Sequence, residues 1–194
     1  MSYKIITISR QFGSGGRTIG KEVAAKLGIP CYDQELINMM AEESGFSVEQ
    51  VKELDEAEVH KKFFSTRVER ALNSSYMQGA LWNAQEKMIL HLAEQGPCVI
   101  VGRCADRILK DREDVLRVFI HADQEKRAER IVEVYGEREE APLRRIREKD
   151  KLREGYYERY THDQWGDARN FTITLNSGEL GIDFCVDMLV KLYK

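Results

Sequence analysis

Lys4-Ile-Ile-Thr-Ile-Ser-Arg-Gln-Phe-Gly-Ser-Gly-Gly-Arg-Thr-Ile-Gly20 is the stretch that decides how this chain folds. The apolar run Ile5, Ile6 and Ile8 predicts a buried strand. Gly13, Ser14, Gly15 and Gly16 then form a turn, and Ile19, Val23 and Leu27 recur at helical spacing beyond it. Strand, glycine turn and helix N-terminus together aim unpaired backbone N–H groups and the positive end of a helix dipole at an anion. A phosphate-binding loop of this kind normally continues with a Lys that reaches the β/γ-phosphates and a Ser or Thr that reaches Mg²⁺. Here Gly16 stands at the lysine's position, with Arg17 and Thr18 after it.

The rest of the composition narrows the class. At 194 residues the chain predicts one domain with a substantial core, and 42% apolar with 32% charged residues suit a globular protein. A net charge of −3 argues against binding a nucleic-acid polymer, which favours a basic surface. Positive charge is concentrated instead between Arg138 and Arg159. The sequence offers no basic leader and no apolar run of membrane-spanning length, so a cytoplasmic protein without a membrane partner is expected. Cys31, Cys98, Cys104 and Cys185 are widely spaced, which suits reduced thiols rather than a zinc site or a disulfide framework.

Four β-rich runs stand out: Lys4–Ser9, Cys98–Val101, Val115–His121 and Phe171–Leu175, with Ile29–Tyr32 as a shorter candidate. Helical patterns separate them, which predicts an α/β fold: a parallel sheet with helices on both faces. The last helix carries Ile182, Cys185, Val186, Leu189, Val190 and Tyr193 on one stripe that should pack on the sheet. Two segments exceed the length of simple connections. Residues 34–95 form a long helical insertion, and residues 136–169 form a charged helix followed by a turn-rich stretch. The core is then 1–33, 96–135 and 170–194 of a single domain.

Ile8-Ser-Arg-Gln-Phe-Gly-Ser-Gly-Gly-Arg17, Tyr32-Asp33, Val101-Gly-Arg103 and the tail from Asp150 to Leu180 resemble the cytidylate kinase-like family, a bacterial branch related to the nucleoside monophosphate kinases. The resemblance covers nearly the whole chain in the right order, and the family's loop commonly carries two glycines followed by Arg. It implies a P-loop NTPase, nucleoside monophosphate kinase-like fold. That fold has three layers and a mostly parallel five-stranded sheet, with 34–95 as an acceptor-binding insertion and 136–169 as a lid. It also implies ATP as donor, Mg²⁺ as cofactor, and a small nucleotide, CMP or dCMP, as acceptor.

Candidate roles follow residue by residue. Gly13, Ser14, Gly15 and Gly16 would offer backbone N–H groups to phosphate. Arg17 is the first candidate to replace the missing cation, although one residue of displacement turns a helical side chain by roughly 100°. Lys21, one turn on, is the second. Thr18 is the candidate hydroxyl near Mg²⁺, or an ordinary helix threonine. Ser9 stands where cytidylate kinases often carry an acid. Asp33 would cap the next helix, hold an acceptor group, or both.

Arg103 follows a strand's carboxyl end, where ligands collect in open α/β sheets, and would clamp the acceptor phosphate. Cytidylate kinases place an acid directly after this Arg; here Cys104, read as a small filler, intervenes and Asp106 is the nearest acid. Arg147 and Arg153 are the favoured lid residues for the transferring phosphoryl group, with Asp150 orienting one of them and Arg144 as alternative. The competing reading of this stretch is a solvated face held by i,i+4 pairs.

Tyr156, Tyr157 and Tyr160 would pack the lid helix or stack on a base. Phe63, Phe64, Val68, Leu72, Leu81, Met88 and Leu92 would form helix packing, a base pocket or a contact between copies of the chain. His60, His91, His121 and His162 have no partner spacing and receive no role. A nucleotide sensor with little turnover, a kinase of another small acceptor, and a scaffold that merely retains the fold are the alternative functions.

Overall fold

In a computed structural model that describes residues 3–33, 35–45, 47, 48 and 67–193, five strands form one sheet in the order β2-β3-β1-β4-β5, every pair parallel. The strands are β1 (Ile5–Arg10), β2 (Cys31–Tyr32), β3 (Cys98–Val101), β4 (Val115–His121) and β5 (Ile173–Asn176). Helices α1 (Gly16–Leu27), α2 (Glu35–Ser44), α3 (Arg67–Gln95), α4 (Ala105–Ile108), α5 (Gln124–Tyr135), α6 (Pro142–Thr161), α7 (Ser177–Leu180) and α8 (Ile182–Tyr193) connect and flank them.

Side chains alternate across β1, so each face of the sheet has its own core. On one face Ile5, Ile100 and Val115 meet Leu36 and Met40 of α2 and Ile89 and Leu92 of α3. On the other, Ile6, Ile8 and Val118 meet Ile19 and Val23 of α1 and Cys185, Val186 and Leu189 of α8. The expected stripe of the last helix is therefore the face that packs, with Ile182, Val190 and Tyr193 partly buried beside it. Removing each large aliphatic side chain from water contributes roughly 1.5–3 kcal/mol. The result is three layers, and no helix among the described residues is long and apolar enough to cross a membrane.

Three strands differ at their ends from the sequence reading, and β1 is shifted by one residue, Ile5–Arg10 in place of Lys4–Ser9. β2 is only Cys31–Tyr32, because Pro30 has no N–H and enters the sheet as an acceptor alone, its carbonyl taking the Val99 N–H at 2.9 Å. β5 starts at Ile173, since Phe171 ends a 3₁₀ turn (Ala168–Asn170) and packs its ring on Phe119 with centroids 5.1 Å apart. His60, Phe63 and Phe64 lie outside the described residues, as do the side chains of Val68 and Leu72.

Because β1 has β3 on one side and β4 on the other, the strand order reverses beside it. The crevice at the carboxyl end of such a sheet is where ligands bind, and the glycine turn after β1 opens onto it.

Candidate functional site

The glycine turn is built by conformations that side chains disfavour. Gly13 has φ 81° and Gly15, at the N-cap of α1, has φ 78°. A Cβ at Gly13 would also lie 2.8 Å from the Ile131 side chain and 2.9 Å from the Arg127 carbonyl. Ser14 is fully buried, and its hydroxyl faces inward, 2.9 Å from the Gln11 carbonyl and 3.1 Å from that of Ile120. The Ser177 hydroxyl donates to the Ser14 carbonyl at 2.6 Å. The Ser14 side chain therefore fastens the loop from behind, and the part of the loop that can meet an anion is backbone. The Ile19 N–H is bonded to the Gly15 carbonyl at 2.9 Å. The amides at the very start of a helix have no partner inside it.

Phe12 is clamped on three sides. Its N–H donates to Asp150 Oδ1 at 2.7 Å, and its carbonyl accepts from Arg127 Nη1 at 3.1 Å. Its ring stacks on Tyr135 at 6.0 Å and lies under the Arg153 guanidinium at 5.6 Å. Arg127 Nη1 also donates to Asp150 Oδ2 at 2.5 Å. Asp150 thus orients Arg127 and the loop rather than Arg147 or Arg153, and it is not among the residues lining either cleft described below.

Arg17 pairs with the carboxylate of Asp33, which is buried. The two join the loop to the end of β2, and both line the larger cleft. The Asp33 carboxylate is therefore turned toward α1, and it is the backbone carbonyl of Asp33 that accepts from the Leu36 N–H at 3.3 Å. Thr18 Oγ1 accepts from Arg130 Nη2 at 3.0 Å. Lys21 is exposed and outside the cleft lining.

After β3, Gly102, Arg103 and Cys104 have φ values of 81°, 60° and 52° in succession. Left-handed backbone at two consecutive non-glycine residues costs on the order of 1–3 kcal/mol each and gathers at functional sites. The turn is braced from α3, where buried Gln85 donates to the Arg103 carbonyl at 3.0 Å and accepts from the Tyr156 hydroxyl at 2.9 Å. Arg103 lines the crevice. Cys104 is buried as a filler, and burial pushes its thiol well up. Asp106 is turned into the protein, accepting from the Tyr157 hydroxyl at 2.8 Å, so it does not face a ligand.

Helix α6 divides its arginines. Arg153 lines the crevice and donates to the Arg10 carbonyl at 2.8 Å; burial and the neighbouring Arg10 push its guanidinium down to about 9. Arg145 is buried and also lines the cleft. Arg147 is exposed and lies outside the lining. Arg144 pairs with Glu140 at 3.2 Å and Glu148 at 2.9 Å, the solvated i,i+4 arrangement. Tyr160 stacks on Trp82 of α3 at 4.4 Å with Tyr156 beside it, so these rings pack helix on helix.

Two adjoining clefts result. The larger, about 710 Å³, runs along the glycine loop and gathers Arg10, Arg17, Arg103, Arg130, Arg145 and Arg153 from five different parts of the fold, with Asp33, Glu140 and Glu148 as its acids. The smaller, about 230 Å³, shares Arg10, Arg103 and Arg153 and adds Ser9 and Trp165. Such a surplus of guanidinium groups is suited to polyphosphate. Arg10, Arg127 and Arg130 were not singled out by the sequence reading. The spacing of three between Arg127 and Arg130, which puts both on one face of α5, was the available signal.

Residues 5–179 match the cytidylate kinase-like family. A curated relative, the cytidylate kinase of Archaeoglobus fulgidus, is 28% identical over 191 residues, covering 96% of this chain and 92% of its own. An uncharacterized protein from Eubacterium ventriosum has a solved structure with a TM-score of 0.71 at 29% identity, over 97% of both chains. Shikimate kinase from Acinetobacter baumannii, solved in complex with shikimate, has a TM-score of 0.56 at 14% identity over 98% of this chain and 92% of that one, a likeness of fold alone. The fold is that of the P-loop kinases, and fold and family together support phosphoryl transfer.

Proposed function

The chain belongs to the cytidylate kinase-like family, and on that basis we propose that it transfers the γ-phosphoryl group of ATP to a nucleoside monophosphate, with CMP and dCMP the first acceptors. The observation that carries this reading is the convergence of a backbone anion site and arginines from separate elements on one crevice. An acceptor phosphate oxygen attacks the γ-phosphorus, that bond forms as the γ-phosphorus–bridging oxygen bond breaks, and ADP leaves with the electron pair. Such chemistry depends on positioning and charge neutralisation.

In this reading the amides of Gly15 and Gly16 cradle the donor's β-phosphate. Arg130 approaches the same phosphates beside Thr18, and Arg103 holds the acceptor phosphate. Arg153 meets the transferring group from α6, which with the rest of 136–169 serves as the lid. The 34–95 insertion serves the acceptor side. Closing such elements keeps water from competing as acceptor.

No group of three or more His, Cys, Asp or Glu able to hold a metal occurs among the described residues. Thr18 Oγ1 and the Asp33 carboxylate stand by the loop, engaged with Arg130 and Arg17. That donor set suits a Mg²⁺ ion bound mainly by phosphate oxygens and water, with Thr18 as its protein ligand. Bound there, Mg²⁺ would neutralise charge on the β- and γ-phosphates. The reading includes a cytoplasmic location and small-molecule nucleotides, not nucleic-acid polymers, as partners.

The test is ADP production from Mg²⁺·ATP with each nucleoside monophosphate in turn, where CMP or dCMP should accelerate turnover. A full panel without acceptor-dependent ADP would overturn the acceptor assignment. Gly16 in the lysine's place favours one second reading, a nucleotide sensor. Tight ATP binding without transfer to any acceptor would support it.

A further inference from the structure

The usual loop pattern, G-x-x-x-x-G-K-[ST], laid over this sequence with Gly15 as its second glycine, puts its first glycine at Arg10 and its lysine at Gly16. The two residue types have changed places: the cation stands at the end of β1 and the glycine opens α1. The structure gives this exchange a steric reason. A Cβ at Gly16 would lie 2.6 Å from Arg10 Cβ and 3.0 Å from Arg10 Cγ. No side chain fits at position 16 while Arg10 is present, because the stem of Arg10 already fills that space.

The far end of Arg10 is placed just as closely. Its guanidinium presses against Gly102 where a Cβ would sit, and Gly102 also needs its left-handed φ of 81°. Arg10 therefore runs between two glycines, from the start of α1 to the turn that carries Arg103. It lines both clefts, as do Arg103 and Arg153.

We propose that Arg10 stands in for the missing loop lysine: its side chain crosses the lysine's space above Gly16 and presents its guanidinium to phosphate oxygens at the junction of the two clefts. The proposal rests on the kinase reading for the identity of its ligand, a nucleoside triphosphate. Three other cations beside the loop have different placements, while Arg138, Arg145 and Lys149 line the larger cleft from α6 and the segment before it. The Arg17 guanidinium meets the Asp33 carboxylate, Arg130 donates to Thr18, and Lys21 is exposed outside the cleft. Arg153, bonded to the Arg10 carbonyl, brings a second guanidinium into the same half-buried space. Two such cations in proximity suit a ligand with several negative charges.

A purely structural strut between Gly16 and Gly102 would fill the same space, so the test separates charge from shape. The full chain and its variants are titrated calorimetrically with Mg²⁺·ATP and, independently of any nucleoside, with tripolyphosphate. Arg10→Gln keeps most of the stem without the charge and should weaken both ligands about 10- to 100-fold, the range expected for losing hydrogen bonds from a charged donor. Gly16→Lys alone should also weaken binding, since the introduced lysine and Arg10 would compete for one space. Arg10→Gly combined with Gly16→Lys restores the usual pattern and should bind ATP at least about tenfold more tightly than Arg10→Gly alone. Circular dichroism of each variant confirms folding.

Wild-type affinity retained in Arg10→Gln overturns the assignment and leaves the kinase reading intact. So does a double variant no better than Arg10→Gly. Wild-type protein that binds tripolyphosphate but not ATP, with Arg10→Gln losing it, overturns the kinase reading and supports the anion role of Arg10. Wild-type protein that takes neither ligand overturns both.

Discussion

Arg127 and Asp150 meet at 2.5 Å across the packed helices α5 and α6, and each also holds one side of the Phe12 peptide. Arg127 is buried, and this carboxylate is its ion-pair partner. Removing one member of a buried pair leaves the other uncompensated.

Asp150→Ala should accordingly destabilise the fold by about 2–4 kcal/mol. It should also loosen the glycine loop, seen as a raised KM for ATP. Asp150→Asn, which still accepts from the Phe12 N–H, should lose less. Urea unfolding of the three proteins checks this, and equal midpoints would show that the clamp carries no stability.

This clamp also marks where sequence reading stops. The sheet, the glycine loop and the stripe on α8 were legible because periodicity and glycine placement are local signals. The left-handed turn at Gly13 and Gly15 that leads into α1 was legible for the same reason. Which arginines of α6 reach the crevice was legible only in part, because α6 carries cations all around: Arg153 is expected there and lines it, while Arg147 is expected there and faces solvent. Arg145 and Arg147 differ by two positions, and only packing against the core turns the first inward and leaves the second exposed. Asp150 could be placed on the charged helix, but its partner Arg127 lies 23 residues away on another helix. Asp106 looked like a ligand acid by position. The left-handed turn at Arg103 and Cys104 sends it inward to Tyr157 instead.

The crowding of guanidinium groups predicts that the protein is stabilised by anions before any acceptor is known. Arg153 is held below its ordinary range by burial and by Arg10, and an anion bound between them relieves both penalties. Tripolyphosphate at 100 times its Kd should add about 2.7 kcal/mol, a rise of roughly 5–10 °C in Tm for a chain of this size. The shift should shrink at high salt through screening. Differential scanning calorimetry reads it, and a Tm indifferent to the anion would contradict the cationic crevice.

Asp106 predicts a pH dependence of definite sign. It is 2% exposed, and burial raises its carboxyl from 3.8 to about 6, against the opposing effects of the Tyr157 hydroxyl, Arg107 and Arg117; Cys104 lies beside it. Because the folded value is the higher one, the folded state binds more protons between about 4 and 6, and this group's contribution to stability falls as pH rises through that window. Asp106→Asn retains an acceptor for Tyr157 and cannot ionise. The variant should match wild type near pH 4 and exceed it near pH 7 by up to about 3 kcal/mol. Urea unfolding across pH 4–8 measures the difference, and a gap that does not change with pH would refute the buried ionisation.

The division of labour along α6 gives the sharpest functional contrast. Arg153 lies over Phe12 and lines both clefts, whereas Arg147, six residues earlier, faces solvent. A cation that meets charge developing on the transferring phosphoryl group is commonly worth about 10²–10³ in kcat, while an exposed arginine is worth little. With whichever acceptor supports turnover, Arg153→Ala should lower kcat by that order with a smaller change in KM. Arg147→Ala should stay within about twofold of wild type, as surface substitutions usually change little. Steady-state kinetics on the two variants decides the matter. Equal losses would mean that α6 moves during turnover far enough to bring its exposed face over the crevice, and equal indifference would remove α6 from the chemistry altogether.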